Sequence, residues 1–141
     1  RKNNISVDII DKFCTIHNYI DTKNMILRKG SVSAQKDEKF LLPLNMKDGS
    51  LICIGKGNED WNYSSPHGAG RLMSRNEAKK KIDFDKFKEI MKGIYSTSVT
   101  IETIDESPMV YKNKKEIIDN IKETADIVDY LIPIYNFKAK E

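Results

Sequence analysis

The sequence predicts a mixed α+β fold, organised as one domain over residues 1–141. The chain has 141 residues, which is the size of a single domain. Its hydrophobic fraction of 39% is enough to build a core. Short runs with β-type composition lie between segments with helical periodicity and capping residues, and no internal repeat is present. Helices and strands in this mixture are typical of a single α+β unit.

Four segments predict helices. Residues 6–20 carry apolar side chains at helical spacing. Residues 74–82 begin with Ser-Arg-Asn-Glu, which matches a capping box, and residues 83–91 begin with an aspartate that can cap a second helix. The clearest helix is expected from Asn113 onward, because one apolar face continues through the residues Ile117, Ile121, Ala125, Val128 and Ile132.

Strands are expected at residues 25–28, 40–44, 50–54 and 134–137. The turn Lys47-Asp48-Gly49 separates the second and third of these runs and predicts a β-hairpin. Residues 55–70 are rich in glycine and predict a long loop, and loops of this length are usually functional or flexible.

The strongest local signal for chemistry is Ser65-Pro66-His67-Gly68-Ala69-Gly70-Arg71. Glycines let backbone N–H groups approach a ligand closely, as phosphate-binding turns require. Arg71, Arg75 and Lys79 are four residues apart, so on one helix they would form a basic stripe. These features predict a phosphate site that contains a histidine. From the residues alone, a hydrogen-bonding loop histidine and a solvated basic face remain open alternatives.

Composition sets broad limits on function. The net charge of +3 permits nucleic-acid binding but does not argue for it. Cys14 and Cys53 are far apart in sequence and form no CxxC pair, so we expect reduced thiols and a cytoplasmic protein. No apolar run is long enough to cross a membrane. A polar start without Met is expected of a piece of a longer chain, and a trimmed chain would look the same.

Several short motifs follow one another in a fixed order along nearly the whole chain. They are His17-Asn18, Arg28-Lys29-Gly30, Leu42-Pro43 with Met46, Gly55-Lys56-Gly57-Asn58, His67-Gly68-Ala69-Gly70-Arg71 with Met73-Ser74-Arg75, Asp105-Glu106-Ser107-Pro108, Tyr111-Lys112 and Lys138. In this order they resemble the RtcB family of RNA-splicing ligases, and HGAGR followed by x-M-S-R is the most specific part.

The resemblance implies that residues 1–141 are the C-terminal portion of the catalytic domain of a GTP- and Mn²⁺-dependent RNA ligase. Such an enzyme joins RNA ends that carry a 3′-phosphate or 2′,3′-cyclic phosphate to 5′-hydroxyl ends, through a covalent histidine–GMP intermediate. His67 matches the position that takes up GMP. Two departures from the family pattern are Pro66, where some members have Cys, and the tail after Lys138. The RNA substrate stays open between tRNA maturation and RNA repair.

The resemblance also implies roles for other residues. His17 matches a metal ligand, and the family supplies the remaining ligands from sequence upstream of this segment. We therefore expect the isolated chain to lack ligase activity and to need the upstream part of the same protein as its partner. Positions that match contacts to the guanine nucleotide are Asn45, Ser50, His67, Gly68, Ala69, Gly70, Tyr111 and Lys138. Candidate RNA or phosphate contacts are Lys29, Arg71 and Arg75.

Each of these residues also has an ordinary interpretation. Without the resemblance, Ser50 is a turn residue, Tyr111 lies at the edge of the core and Lys138 is a solvated lysine. His17 would be a core histidine on a half-apolar helix. A non-catalytic module that binds a guanine nucleotide or RNA in the same fold is the alternative function.

Overall fold

The computed structural model describes residue 9 and residues 11–139. Within these residues the strands are β1 (Asn18–Asp21), β2 (Ile26–Lys29), β3 (Ser31–Ser33), β4 (Lys39–Asn45), β5 (Gly49–Gly55), β6 (Ser64–Pro66), β7 (Tyr95–Ser96), β8 (Ala125–Leu131) and β9 (Tyr135–Asn136). The α-helices are α1 (Arg75–Lys81), α2 (Phe84–Ile90) and α3 (Lys114–Asn120). Short 3-10 helices span Glu59–Trp61, Ile101–Glu106 and Pro108–Val110. The predicted α+β class is confirmed.

The central sheet is antiparallel, with the strand order β4-β5-β8. A tight turn joins β4 to β5, which confirms the hairpin predicted from Lys47-Asp48-Gly49. Gly49 has a φ of 74°, and a Cβ atom there would lie 1.9 Å from the carbonyl oxygen of Leu131. Glycine is therefore required at this point, because β8 approaches the turn too closely for any side chain.

Alternation along β4 and β5 builds the main core. Every second residue of these strands is buried, as expected for a sheet with one covered face. Leu42 and Leu51 are fully buried, and burial of such a side chain contributes roughly 1.5–3 kcal/mol. The buried residues of this core are Val32, Ala34, Phe40, Leu42, Leu44, Leu51, Cys53, Ala69, Ile117, Ile121 and Ala125. A second cluster consists of Met46, Phe87, Met91 and Ile104.

The helix starts follow the predicted caps. Ser74 and Glu77 form the capping box of α1, and the side chain of Asp83 accepts from the backbone N–H of Lys86 at the start of α2. Asn113 caps α3 in the same way through the N–H of Lys115. These local hydrogen bonds satisfy N–H groups that have no partner inside a helix.

Two helix predictions are wrong. Residues 11–17 form no helix and residues 18–21 form β1, whereas residues 6–8 and 10 lie outside the described residues. The chain is held there by other strands, since Thr15 accepts from the N–H of Leu41 and β1 pairs with β2. The helix from Asn113 ends at Asn120, and residues 125–131 instead form β8 against β5. Tertiary pairing has overridden the helical spacing in both segments.

The segment predicted as a loop, residues 55–70, contains more structure than expected. A 3-10 turn occupies Glu59–Trp61, and β6 pairs with β3. The indole N–H of Trp61 donates to Glu123 at 2.9 Å. The run expected at residues 134–137 is confirmed as the two-residue strand β9, which pairs in parallel with β7. No helix in the described part of the chain is long and apolar enough to cross a membrane.

Candidate functional site

The glycine-rich segment after β6 is fixed between two parts of the chain. On one side, the N–H of Ala69 donates to the carbonyl of Pro43 in β4 at 3.0 Å. On the other, the carbonyl of Gly70 accepts from the N–H of Lys112 at 3.1 Å, and Arg71 forms an isolated bridge with Tyr111. His67 therefore stands on a backbone that is held by hydrogen bonds from both sides.

The imidazole of His67 is exposed and has a defined partner. Its Nδ1 lies 2.6 Å from the carbonyl oxygen of Gly30. A carbonyl can only accept, so Nδ1 is the nitrogen that carries the proton in the neutral tautomer, and the lone pair of that tautomer lies on Nε2. The N–H of Gly30 in turn donates to the carbonyl of His17 and to the Oδ1 of Asn18, both at 2.9 Å. The turn after β2 thus selects the tautomer in which Nε2 is nucleophilic.

Arg28 joins the hairpin of β1 and β2, which precedes Gly30, to β6, which precedes His67. Its side chain has no solvent exposure and pairs with Asp21 at 3.0 Å. It also donates to the hydroxyl of Tyr19 at 3.1 Å, to that of Ser64 at 3.0 Å and to the carbonyl of Tyr63 at 3.3 Å. One buried guanidinium therefore holds β1 and β2 against the start of β6.

The second histidine lies beside the first. The rings of His17 and His67 are stacked, with centroids 4.8 Å apart and an interplanar angle of 14°. His17 precedes β1 in a segment without regular secondary structure, so its predicted place on a helix is wrong. Over residue 9 and residues 11–139, no three or more His, Cys, Asp or Glu side chains are grouped to hold a metal ion. The described residues offer part of a donor set, not a complete manganese site.

His67 borders a cavity of about 490 Å³. This volume is in the range of small-molecule sites. The cavity is lined by every residue that the resemblance assigns to the nucleotide: Asn45, Ser50, His67, Gly68, Ala69, Gly70, Tyr111 and Lys138. Arg71 also lines it, as do the apolar residues Leu131, Ile132 and Pro133 after β8.

Tyr111 is half-buried on the cavity wall. Its hydroxyl donates to Oε2 of Glu106 at 2.9 Å. Burial, followed by the charge of Glu106 and this hydrogen bond, raises the pKa of Tyr111 to about 12. The Arg71 guanidinium lies over the tyrosine ring, 5.3 Å from its centroid. The phenol therefore stays protonated at neutral pH, and one ring face is already covered by a cation.

Lys138 is fixed at two levels. Its backbone N–H donates to the hydroxyl of Ser98 at 2.8 Å, and its ammonium lies 3.1 Å from Oε2 of Glu106. Burial acts to raise the pKa of Glu106, but the hydrogen bond and charge of Lys138, with Tyr111 and Arg75, lower it overall. Glu106 is thus ionised at neutral pH and holds a positive charge at the cavity edge.

The two smaller polar residues of the cavity differ. Ser50 is half-buried in β5, between Pro43 of β4 and Leu131 of β8. The side chain of Asn45 is engaged in its own turn, since its oxygen accepts from the N–H groups of Lys47 and Asp48. Its amide nitrogen donates to Asp48 at 2.7 Å. Asn45 therefore shapes the hairpin that bounds the cavity.

The predicted basic stripe is wrong. Arg71 precedes α1, so it does not share a helix with Arg75 and Lys79. Arg75 pairs with Asp105 and Glu106, both at 2.8 Å, and Arg71 lies 3.6 Å from Glu106. Lys29 is exposed on β2 opposite Asn18 and does not line the cavity.

Two residues of the site had no role in the sequence interpretation. Gly30 acts through its carbonyl, which residue identity does not reveal beyond a glycine in a turn with a φ of 68°. Glu106 belongs to the motif Asp105-Glu106-Ser107-Pro108, but its partners Arg75, Tyr111 and Lys138 come from three different parts of the chain. No spacing rule brings these parts together, because loops rather than one helix position them.

The fold and the site define an α+β domain with a cavity of mixed polar and apolar lining, bordered by a histidine whose Nδ1 is held by a backbone carbonyl. A sequence model of one family, described as "tRNA-splicing ligase RtcB", matches residues 2–139. The chain is 31% identical over 118 residues to the RNA-splicing ligase RtcB of Escherichia coli K12, covering 79% of this chain and 29% of that protein. It is 36% identical over 96 residues to the tRNA-splicing ligase RtcB of Aeropyrum pernix, covering 64% of this chain and 19% of that protein.

A further relative is the tRNA-splicing ligase RtcB of Methanopyrus kandleri, 37% identical over 104 residues, or 69% of this chain and 10% of that protein. The chain thus spans less than a third of the length of these relatives. Because the family model matches nearly the whole chain, the chain belongs to the RtcB family.

Proposed function

We propose that this chain is the guanylate-accepting part of a GTP- and manganese-dependent RNA ligase. The observation that carries the proposal is His67. Its Nδ1–H is held by the carbonyl of Gly30, and its ring opens on the cavity bordered by Ser50, Tyr111 and Lys138. An imidazole oriented through Nδ1, with Nε2 left for attack and a cavity of nucleotide size beside it, is the arrangement that nucleophilic attack on phosphorus requires.

In this proposal the cavity holds GTP, with the base toward Tyr111 and Lys138. Lys138 donates to the keto oxygen of guanine, and Tyr111 borders the base with the ring face that Arg71 leaves open. Ser50 offers a hydroxyl, and the backbone N–H groups of Gly68 and Gly70 face the phosphates, whereas that of Ala69 is bonded to Pro43. Asn45 contributes through the shape of the hairpin turn.

The first chemical step is attack of Nε2 of His67 on the α-phosphorus of GTP. An N–P bond forms, the bond to the β-phosphate oxygen breaks, and pyrophosphate leaves. The imidazole gains positive charge during this step while Nδ1 keeps its proton. The Gly30 carbonyl, 2.6 Å from Nδ1, is placed to stabilise that charge.

The guanylate then moves from His67 to the RNA 3′-phosphate, which breaks the N–P bond and forms a phosphoanhydride. The 5′-hydroxyl attacks the RNA phosphorus and releases GMP. A 2′,3′-cyclic end is opened to the 3′-phosphate first. Manganese, held in part by His17, would supply Lewis-acid neutralisation of the phosphate charge. We propose that the rest of the full-length protein supplies the other metal ligands, and that the full-length protein binds the RNA. Its expected compartment is the cytoplasm.

Among the candidate RNA contacts, Lys29 is the strongest. It is exposed, and the β1–β2 register places it opposite Asn18, next to the two stacked histidines. Lysine contacts phosphate without reading base identity. The charges of Arg71 and Arg75 are already compensated by Glu106 and Asp105, so we propose that they act first in holding the cavity wall.

Labelling with α-³²P-GTP tests the proposal. Full-length protein with Mn²⁺ should form an acid-labile covalent GMP adduct and should join RNA ends. The variant His67→Ala should lose both, whereas Lys80→Ala, an exposed change on α1, should retain them. Residues 1–141 alone should neither label nor ligate. Normal labelling of His67→Ala would refute the assignment, and GTP binding without any adduct would favour the non-catalytic binding module.

A further inference from the structure

We infer that Glu106 is the positioning residue of the nucleotide pocket. One oxygen of its carboxylate holds the Tyr111 hydroxyl and the Lys138 ammonium at the edge of the cavity. By fixing the ring of Tyr111 and the ammonium donor of Lys138, Glu106 sets the affinity for the guanine base and its distinction from adenine. The inference rests on the proposed function and assigns a role to a residue that does not itself line the cavity.

The first observation is how the two carboxylate oxygens are divided. Oε2 accepts from Tyr111 at 2.9 Å and lies 3.1 Å from the Lys138 ammonium. Oε1 accepts from Arg75 at 2.8 Å. One oxygen therefore faces the residues that line the cavity, and the other is anchored on the side of α1. Charge-assisted hydrogen bonds of this kind are about twice as strong as neutral ones.

The second observation is that the carboxylate has little freedom to move. The Glu106 side chain is only 10% exposed and ends the 3-10 helix Ile101–Glu106. Arg75 is itself fixed by Asp105, whose side chain is 3% exposed. A carboxylate held in this way can impose a position on the longer and more mobile lysine.

The third observation concerns Lys138. Its main chain is held by Ser98, which accepts from its N–H and donates to its carbonyl at 3.2 Å. These contacts leave the four-carbon side chain free to rotate, and Glu106 provides the contact that fixes the ammonium. Lysine loses substantial rotamer entropy when it is ordered, so a pre-formed ion pair lowers the cost of binding a base.

Base selection follows from this geometry. An ammonium is only a donor, so it favours the keto oxygen of guanine or hypoxanthine over the amino group of adenine. That preference is strong only when the donor cannot turn away from the mismatched group. Release of Lys138 should therefore weaken GTP binding and also reduce discrimination against ATP.

The test is a concentration series of GTP, ITP and ATP with full-length wild type and Glu106→Gln, measured as GMP, IMP or AMP attached to His67. Loss of one charged hydrogen bond corresponds to about a tenfold rise in KM for GTP, with kcat of adduct formation nearly unchanged. The GTP-to-ATP preference should fall by a similar factor. Unchanged KM and unchanged preference in a folded Glu106→Gln protein would overturn the inference.

Asp105→Asn is the matched control. Asp105 is the neighbouring buried carboxylate and pairs with the same Arg75, but the ion pair of Lys138 and the hydrogen bond of Tyr111 go to Glu106. A KM that rises as much in Asp105→Asn would make the effect one of general packing. If Glu106→Gln does not fold, Glu106→Asp is the alternative variant. It keeps the negative charge but moves the carboxylate away from Tyr111 and Lys138 by the length of one methylene. It should raise KM in the same direction, and an unchanged KM would contradict the inference.

A second measurement does not depend on catalysis. Acetic anhydride labelling of the nucleotide-free protein, with peptides read by mass spectrometry, reports the accessibility of the Lys138 ammonium. Labelling should be faster in Glu106→Gln than in wild type or Asp105→Asn, and equal rates would contradict the inference. Wild type that forms no adduct at His67 would refute the proposed function, while the Lys138 rates would still decide whether Glu106 holds this lysine.

Discussion

The cavity has two ends that are built from different chemistry. At the histidine end (His17, Gly30 and His67), the imidazole of His67 meets a backbone carbonyl and a second imidazole ring. At the carboxylate end (Glu106, Tyr111 and Lys138), an ionised carboxylate gathers a phenol and an ammonium, with an arginine behind it. An uncharged backbone carbonyl contacts the imidazole of His67 at one end, and a charged carboxylate contacts Tyr111 and Lys138 at the other.

The difference follows from what each end has to do. A histidine that attacks phosphorus must be neutral, and a carboxylate about 4 Å away would favour its protonated form by about 4 kcal/mol at an effective dielectric constant of about 20. A carbonyl orients the ring with far less effect on its charge. Base binding has no such restriction, so ion pairs can fix donors there.

The largest expected effect comes from breaking the scaffold of the histidine end. Arg28→Met removes the buried guanidinium that joins β1 and β2 to residues 63–64 and leaves Asp21 without its cation. We expect a loss of about 3–5 kcal/mol in the free energy of unfolding, measured with urea. Lys29→Met, an exposed change one residue away, should stay within about 0.5 kcal/mol. A small loss for Arg28→Met would mean that the hairpin does not depend on this residue.

The next effect should come from the turn at Gly49, which lines the cavity. Gly49→Ala places a Cβ 1.9 Å from the Leu131 carbonyl at a φ of 74°, so β8 and the cavity wall must shift. We expect a loss of roughly 2–4 kcal/mol together with weaker GTP binding. Gly93→Ala has a φ of 88° but no atom within 4 Å, and should cost about 1 kcal/mol without changing GTP binding. Equal losses in the free energy of unfolding for the two variants would contradict a close approach of β8 to Gly49.

The smallest expected effect is on the pH dependence of stability, through the phenol of Tyr111 at the carboxylate end. The pKa of Tyr111 is raised from 10.0 to about 12, so at pH values between these the folded protein keeps a proton that the unfolded chain has lost. Unfolding then releases a proton, and stability falls as the pH rises through this range. Burial also raises the pKa of Cys53 to about 11, which adds an alkaline loss common to wild type and variants.

Tyr111→Phe should therefore lose less stability than wild type between about pH 9 and about pH 11. We expect a difference on the order of 1 kcal/mol, since Tyr111 is only half-buried and solvent screens part of the effect. Urea unfolding at both pH values measures it. Parallel losses in the two proteins would contradict a raised pKa of Tyr111 in the folded protein.

Local sequence signals predicted the local parts of the fold. The turn Lys47-Asp48-Gly49 and the caps Ser74, Asp83 and Asn113 act through neighbouring residues, and all four features occur in the structure. Prediction failed where a distant strand decided the outcome. Residues 125–131 have apolar spacing compatible with a helix, but their backbone pairs with β5 and most of their side chains are exposed.

The residues of the site also fall into a group that the sequence predicts and a group that it does not. His67, Ser50, Tyr111 and Lys138 were identified through the family resemblance, and they border one cavity. The supporting contacts of Gly30 and Glu106 could not be predicted. One acts through a backbone carbonyl, and the other depends on loops that bring α1, residue 111 and residue 138 to the same carboxylate.

The proposed guanylate acceptor is His67, and mapping the site of the covalent GMP adduct tests this assignment directly. Full-length protein would be incubated with GTP and Mn²⁺, digested at alkaline pH to preserve a phosphoramidate, and analysed by tandem mass spectrometry. We expect one GMP on the peptide that contains His67, attached to the imidazole. GMP on a lysine or on His17, with His67 unmodified, would contradict it.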